Sequence, residues 1–100
     1  MNLSGWWMES PEIIVYSKPD CCLCDQVKKQ LQELQELYQF VWREINILDD
    51  PAAFESFQFE IPVVFIDGRK VFKYHLDEER FIRLLGSAVL KRRAGAEPAS

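Results

Sequence analysis

The chain has 100 residues, of which 48% are hydrophobic and 28% are charged, and its formal net charge is −4. This length suits a single domain whose core needs neither a metal ion nor a disulfide for support. Because the balance is acidic and the basic residues are scattered, the composition disfavours nucleic acid and membrane surfaces as partners.

The cysteine count and the start of the chain bear on the cellular compartment. No apolar run approaches the length of a membrane span, and residues 1–8 lack the cationic and hydrophobic regions of an export signal. Three cysteines without such a signal favour reduced thiols over a disulfide framework. We therefore expect a cytoplasmic protein whose thiols carry chemistry of their own.

The first predicted elements are a buried strand and a long amphipathic helix. Residues 12–16 form a short, β-branched apolar run, typical of a strand covered on both faces. Pro19 then separates this strand from a helix. The inward face of the helix carries apolar residues at spacings of three and four, namely Leu23, Val27, Leu31, Leu34 and Tyr38.

A second strand and a short helix come next. Residues 40–47 predict a strand that is more polar than the first and lies nearer the edge of the sheet. Asp50 is a good N-cap and Pro51 fits the first helical position, where its missing N–H is no loss. The pattern predicts a helix over residues 51–57.

A hairpin and a final helix complete the domain. Strands over residues 61–66 and 71–74 flank the hairpin dipeptide Asp67-Gly68 and are antiparallel neighbours. Asp77 caps the last helix, which has acidic residues in its first turn and basic residues in its last. The order is β-α-β-α-β-β-α. We assign residues 11–93 to one domain, 1–10 to a flexible segment and 94–100 to a disordered tail.

Cys21 and Cys24 stand where the first strand passes into the first helix. Three residues apart, they share one helix face and can exchange between dithiol and disulfide. Free N–H groups of a first helical turn stabilise a thiolate, which is the form that attacks disulfides. The placement predicts Cys21 as the nucleophile and Cys24, less exposed, as the thiol that resolves the mixed disulfide.

The same spacing also occurs in zinc sites, which need a closed set of four ligands. The other candidate ligands of the usual kind are Cys22 and His75, and three ligands within four consecutive residues make poor tetrahedral geometry. We therefore expect no metal. Cys22 is predicted to point away from the cysteine pair, and His75 to lie in an exposed turn.

Pro62 stands at the start of the predicted third strand. A proline there cannot donate to the sheet, and a cis Ile61–Pro62 bond would bring this turn beside the cysteines, with backbone groups available to a substrate chain. An ordinary trans proline at the start of a strand is the alternative, and it is commoner. Aromatic residues at helix or strand spacing are expected in the core: Tyr16, Trp42, Phe54, Phe57 and Phe59.

Residues 16–24 (YSKPDCCLC) and 61–68 (IPVVFIDG), in this order of elements, resemble the glutaredoxin-like branch of the thioredoxin superfamily. The resemblance covers about residues 12–90. It implies an α/β, thioredoxin-like fold with a four-stranded mixed sheet flanked by three helices. It also implies that Cys21 is the nucleophile, that Cys24 resolves, and that a cis Pro62 faces them.

The chain departs from glutaredoxins at the residues that hold glutathione. Glutaredoxins follow their fourth strand with a glycine pair and an aspartate, whereas residues 72–77 here read FKYHLD. Asp77 alone keeps part of the glutathione-holding role. Asp77, Ile61 and Pro62 form the predicted substrate-binding set. No tightly bound cofactor is expected, and glutathione is a candidate reductant whose pocket these bulky residues disfavour.

The sequence thus predicts a monomeric thiol–disulfide oxidoreductase. Its partners are a disulfide-containing protein or small thiol substrate and a cellular reductant. Two alternatives stay open: a redox-inactive binding module of the same fold, and metal or iron–sulfur carriage through Cys21.

Overall fold

The computed structural model describes residues 10–95, with side chains described as far as residue 91. Most of the predicted N-terminal segment, including Trp6 and Trp7, and the tail from residue 96 lie outside the described residues. The elements are the strands β1 (Glu12–Ser17), β2 (Val41–Asn46), β3 (Val63–Ile66) and β4 (Arg69–Lys73), and the helices α1 (Cys22–Leu37), α2 (Pro51–Phe57) and α3 (Glu78–Gly95), with a 3₁₀ turn at Ile47–Asp49.

The four strands form one mixed sheet in the order β2-β1-β3-β4. Strand β1 pairs in parallel with β2 and antiparallel with β3, and β3 pairs antiparallel with β4. The α/β thioredoxin-like architecture expected from the sequence is therefore confirmed. Ile13, Ile14 and Val15 of β1 are buried, as a strand covered on both faces requires, and the more polar β2 lies at an edge.

The hairpin between β3 and β4 turns at Asp67 and Gly68, whose φ angles are 50° and 79°. Two-residue hairpins favour such paired positive φ values because their twist matches that of the strands. Asp67 Oδ1 accepts a hydrogen bond of 2.8 Å from the Glu12 backbone N–H, which ties the turn to the start of β1. The antiparallel pairing predicted for these strands is confirmed.

The first residues of both hairpin strands differ from those predicted from the sequence. Strand β3 begins at Val63 rather than residue 61, because Ile61 and Pro62 approach the sheet in a separate loop and proline has no N–H for the ladder. Strand β4 begins directly after the turn, and Tyr74, at φ 70°, leaves the extended region. Helix α3 ends at Gly95, two residues beyond the expected domain boundary.

The main core lies between the sheet and the inward faces of α1 and α3. Phe81 of α3 is fully buried, and its ring packs edge to face against Phe40 with centroids 5.3 Å apart. Helix α1 buries Cys24, Val27, Leu31 and Leu34. The predicted inward face was therefore wrong at both ends: Leu23 is half-buried, and Tyr38 is exposed beyond the last turn.

Two of the aromatic residues expected in the core are exposed. Phe59 is 82% exposed and Phe54 is 38% exposed. Helix α2 has seven residues and buries Ala53, so it has little inward surface for Phe54, and Phe59 lies in the turn after the helix ends at Phe57. Only Phe57 turns inward among them, and its ring lies 4.9 Å from that of Tyr16.

Candidate redox site

Cys21 is the N-cap of α1. Its backbone is extended, with φ −113° and ψ 107°, and its Sγ accepts a hydrogen bond of 3.2 Å from the Cys24 backbone N–H. The sulfur atoms of Cys21 and Cys24 lie at disulfide-bonding distance, and the Cα atoms are 5.2 Å apart. This Cα separation is within the range that a disulfide requires.

The loop between β1 and α1 places the first thiol at the helix end. Strand β1 ends at Ser17, and Asp20 adopts a φ of 59°, which redirects the chain before the helix. The Cys21 carbonyl then accepts a hydrogen bond of 3.0 Å from the Asp25 N–H. A short polar residue tolerates this left-handed conformation better than a bulky one does.

The three thiols differ in their exposure. Cys21 is half-buried, Cys24 is fully buried and Cys22 is exposed. The sequence predicted both that Cys24 is the less exposed of the pair and that Cys22 points away, and these two expectations are confirmed. Cys24 packs in a small apolar cluster beneath the site, with Ile47, Ala53 and Ile61 as its other buried members.

Ile61 lies beside the cysteines, and Pro62 follows it in the chain. Ile61 belongs to the same cluster as Cys24, against which Cys21 also packs. The Ile61–Pro62 peptide bond is cis. Pro62 is buried, and its carbonyl accepts a hydrogen bond of 2.9 Å from the Tyr74 N–H.

Asp77 serves the start of α3. Its Oδ1 accepts a hydrogen bond of 3.2 Å from the Arg80 N–H, and its carbonyl accepts one of 2.8 Å from the Phe81 N–H. The capping role predicted for Asp77 is therefore confirmed. The side chain is exposed, and a role in binding substrate stays a prediction.

A polar network behind the site was not predicted. The fully buried Ser17 hydroxyl donates a hydrogen bond to Glu44 Oε2, which also accepts one of 3.0 Å from Lys28 Nζ. The bond from Ser17, together with Lys28, lowers the pKa of Glu44, and the bond to Glu44 raises the pKa of Lys28. These residues line a cavity of about 350 Å³ at the carboxyl ends of β1 and β2.

One feature of the sequence is consistent with this network. Polar residues at the carboxyl ends of adjacent parallel strands meet at the same edge of a sheet, and β1 and β2 are such a pair. Ser17 and Glu44 are 27 residues apart, however, so no local pattern joins them.

An exposed aromatic pair borders the Ile61–Pro62 loop. The Tyr74 hydroxyl donates a hydrogen bond of 2.9 Å to the Phe59 carbonyl, while the Tyr74 N–H binds Pro62. Tyr74 is 39% exposed and Phe59 is 82% exposed.

Two further observations concern metals and membranes. The candidate metal ligand His75 is exposed, as predicted. Across residues 10–95, no three His, Cys, Asp or Glu side chains are grouped to hold a metal ion. The helices of this same stretch are too short or too polar to cross a membrane.

The comparison with known families agrees with this geometry. Residues 12–86 match the family described as Glutaredoxin-like domain (DUF836). The chain belongs to this family. Rv0508, an uncharacterised protein of Mycobacterium tuberculosis, is 28% identical to this glutaredoxin-like chain over 78 residues, which cover 73% of this chain and 80% of the relative.

Solved structures share the fold of this glutaredoxin-like chain. The solution structure of Ne2328 from Nitrosomonas europaea superposes with a TM-score of 0.68 at 24% identity, over 76% of this chain and 92% of that one. The crystal structure of a variant of the thioredoxin-like protein BC3987 superposes with a TM-score of 0.56 at 28% identity, over 74% and 94%. The protein is thus a glutaredoxin-like member of the thioredoxin superfamily.

Proposed function

We propose that the protein is a thiol–disulfide oxidoreductase that acts through Cys21 and Cys24. The observation that carries the proposal is the unequal placement of the pair. The Cys21 sulfur is half-buried at the start of α1 and accepts the Cys24 N–H, whereas Cys24 is closed off behind it. A hydrogen bond to sulfur at a helix N-terminus favours the thiolate, which is the attacking form.

The reaction proceeds in two exchanges. The Cys21 thiolate attacks one sulfur of the substrate disulfide and forms a mixed disulfide, while the other substrate sulfur leaves as a thiolate and takes up a proton. Cys24 then loses its proton and attacks the Cys21 sulfur, which releases the second substrate thiol. The substrate disulfide gains two electrons, and the protein is left with the Cys21–Cys24 disulfide.

The protein returns to its dithiol form at the expense of a cellular reductant. A dithiol reductant, or two molecules of glutathione, would supply the two electrons that reopen the bond. The substrate in this proposal is a disulfide-containing protein or a small disulfide. We place the reaction in the cytoplasm, where protein disulfides are mostly transient and catalytic.

Cysteine variants test this proposal. Reduction of a model peptide disulfide is measured with either glutathione or a dithiol as the reductant. Cys21→Ser is expected to abolish turnover because it removes the nucleophile. Cys24→Ser, mixed with a symmetric two-chain peptide disulfide in the absence of reductant, is expected to accumulate a mixed disulfide whose intact mass is raised by one peptide chain. Cys22→Ser is the matched control, since this exposed neighbouring thiol has no part in the mechanism.

Two results would contradict the oxidoreductase. One is an unchanged rate in Cys21→Ser, and the other is a wild-type protein that is inactive with both reductants. Inactivity together with tight retention of an unreduced partner would favour the binding module instead. A visible absorption band in the purified protein would favour metal or iron–sulfur carriage.

A further inference from the structure

We propose that Trp6 and Trp7 dock into an apolar cavity beside α3, at the end of the domain opposite the redox site. The occupant of the cavity is therefore the chain's own N-terminal segment, residues 1–9. The docking does not depend on the proposed redox chemistry, because the cavity and the cysteines lie at opposite ends of α1.

The cavity is large, apolar and distant from the cysteines. It measures about 840 Å³, which is within the size range of pockets that hold drug-sized ligands. Tyr38 of its wall is the C-cap of α1, whereas Cys21 is the N-cap, so the 16 residues of the helix, about 24 Å, separate the cavity from the redox site. The apolar residues of the wall are Pro11, Tyr38, Ile82, Leu85, Val89 and Leu90.

Helix α3 carries more apolar surface than the core of the domain covers. Phe81 is fully buried in the core, whereas Ile82, Val89 and Leu90 face the cavity, and Leu90 is 66% exposed. Gly86 lies within this stripe, and a Cβ added there would meet no atom within 4 Å. A glycine lets a bulky group approach the backbone closely, so the α3 wall has room for a large side chain.

The N-terminal segment is attached to the wall of this cavity. Ser10 is one of the lining residues, and Trp7 and Trp6 stand three and four residues before it. Their Cα atoms can therefore lie at most about 11 and 14 Å from that of Ser10, which puts both indoles within reach of the cavity. A segment tethered this closely has an effective concentration on the order of millimolar, which favours it over a separate partner.

The composition of the segment matches the lining of the cavity. Residues 1–9 read MNLSGWWME, in which Glu9 is the one charged side chain. Arg83 of the lining carries the opposite charge, and a guanidinium is also attracted to the face of an indole. Gln39 and Ser87 of the lining offer oxygens to which an indole N–H can donate. The attached segment thus supplies both the apolar surface and the charge that this cavity would bind.

A thermal double-mutant cycle on the whole chain tests the docking. Trp6→Ala/Trp7→Ala removes both indoles, and Leu90→Glu places a charge on the exposed part of the cavity wall. Half-burying two large side chains, less the entropy cost of ordering the segment, predicts a Tm loss of roughly 5–10 °C for Trp6→Ala/Trp7→Ala. In the Leu90→Glu background the same tryptophan substitutions should leave Tm unchanged, because the docking is already lost.

Leu48→Glu is the matched control variant. Leu48 is 58% exposed, close to the exposure of Leu90, and it follows Ile47 of the Cys24 cluster at the redox end of the domain. It receives the same charge change away from the cavity. The tryptophan substitutions should therefore keep their full Tm loss in this background.

Tryptophan fluorescence gives a second measurement. In the Trp42→Phe background, Trp6 and Trp7 are the remaining tryptophans of the chain. Leu90→Glu should shift their emission to longer wavelength and increase its quenching by acrylamide, because it exposes the indoles to water. Leu48→Glu should change neither property.

The remaining outcomes overturn the proposal. The docking is refuted if the tryptophan substitutions leave the wild-type Tm unchanged, or if they lower it equally in the Leu90→Glu background. Sedimentation equilibrium identifies another occupant: a dimer that Leu90→Glu dissociates would assign the cavity to a second copy of the chain. A monomer whose Trp6 and Trp7 emission equals that of the urea-unfolded chain would leave the cavity to a different protein.

Discussion

The hydrogen bond between Ser17 and Glu44 offers a quantitative test of the structure behind the redox site. Ser17 is fully buried, so its hydroxyl depends on Glu44 as acceptor, and the Glu44 side chain keeps 38% of its surface exposed. Glu44→Ala removes the acceptor but leaves the hydroxyl in place. Ser17→Ala removes the hydroxyl and leaves a carboxylate that still contacts water and Lys28.

The two single substitutions should therefore differ in cost. Leaving a buried hydroxyl without a partner costs about 1–3 kcal/mol, so Glu44→Ala is expected to lower the free energy of unfolding by about 2 kcal/mol. Ser17→Ala should cost about 1 kcal/mol, because its partner is resolvated. The double variant has neither the hydroxyl nor its acceptor, so no buried polar group is left without a partner. The double-mutant cycle should therefore give a coupling energy of about 1 kcal/mol between Ser17 and Glu44.

The stabilising effect of Glu44 should also depend on pH. Its pKa is lower in the folded protein than the ordinary value of 4.5, because Ser17 and Lys28 bind the carboxylate. The contribution is therefore complete above about pH 4.5 and is lost as the pH falls through the folded-state value. Glu44→Gln keeps an acceptor for Ser17 but has no charge to titrate, so this part of the acid dependence should disappear.

Urea unfolding followed by circular dichroism measures all four proteins of the cycle. The midpoints should shift while the m-values stay constant, since the surface exposed on unfolding is nearly unchanged. If the two single effects add within about 0.3–0.5 kcal/mol, the reasoning is refuted, because independent groups add in this way. Equal acid sensitivity of the wild type and Glu44→Gln would refute the pH argument.

Two further predictions concern the helix cap and the hairpin. Asp77→Ala should cost about 1 kcal/mol of stability through loss of the α3 cap, whereas Asp77→Asn should cost only a few tenths. A raised KM for the disulfide substrate in Asp77→Asn, at unchanged stability, would assign the carboxylate to substrate binding. An unchanged KM would exclude that role. Gly68→Ala should cost about 1 kcal/mol because Gly68 has a φ of 79°, although a Cβ there meets no atom within 4 Å. Thermal unfolding measures this loss, and Gly68→Asn, which tolerates that φ better, should lose less.

The locally encoded features were predictable from short stretches of sequence. The cysteine spacing, the N-cap role of Asp77 and the Asp67-Gly68 turn each depend on residues within one helical turn or one hairpin. Strand ends were less predictable. The third strand was predicted to begin at Ile61 and begins at Val63, because whether Ile61 joined the sheet or the Cys24 cluster depended on elements distant in the chain.

The sequence by itself determined the order of elements and the spacing of the cysteine pair, because helix periodicity and capping act over three or four residues. Only the tertiary structure decided which distant residues contact one another. Ser17 meets Glu44 across 27 residues and Tyr74 meets Phe59 across 15, and such contacts form only when β1 pairs with β2 and β3 with β4. The exposure of Phe59 was decided in the same way, since burial depends on which surfaces the whole fold covers.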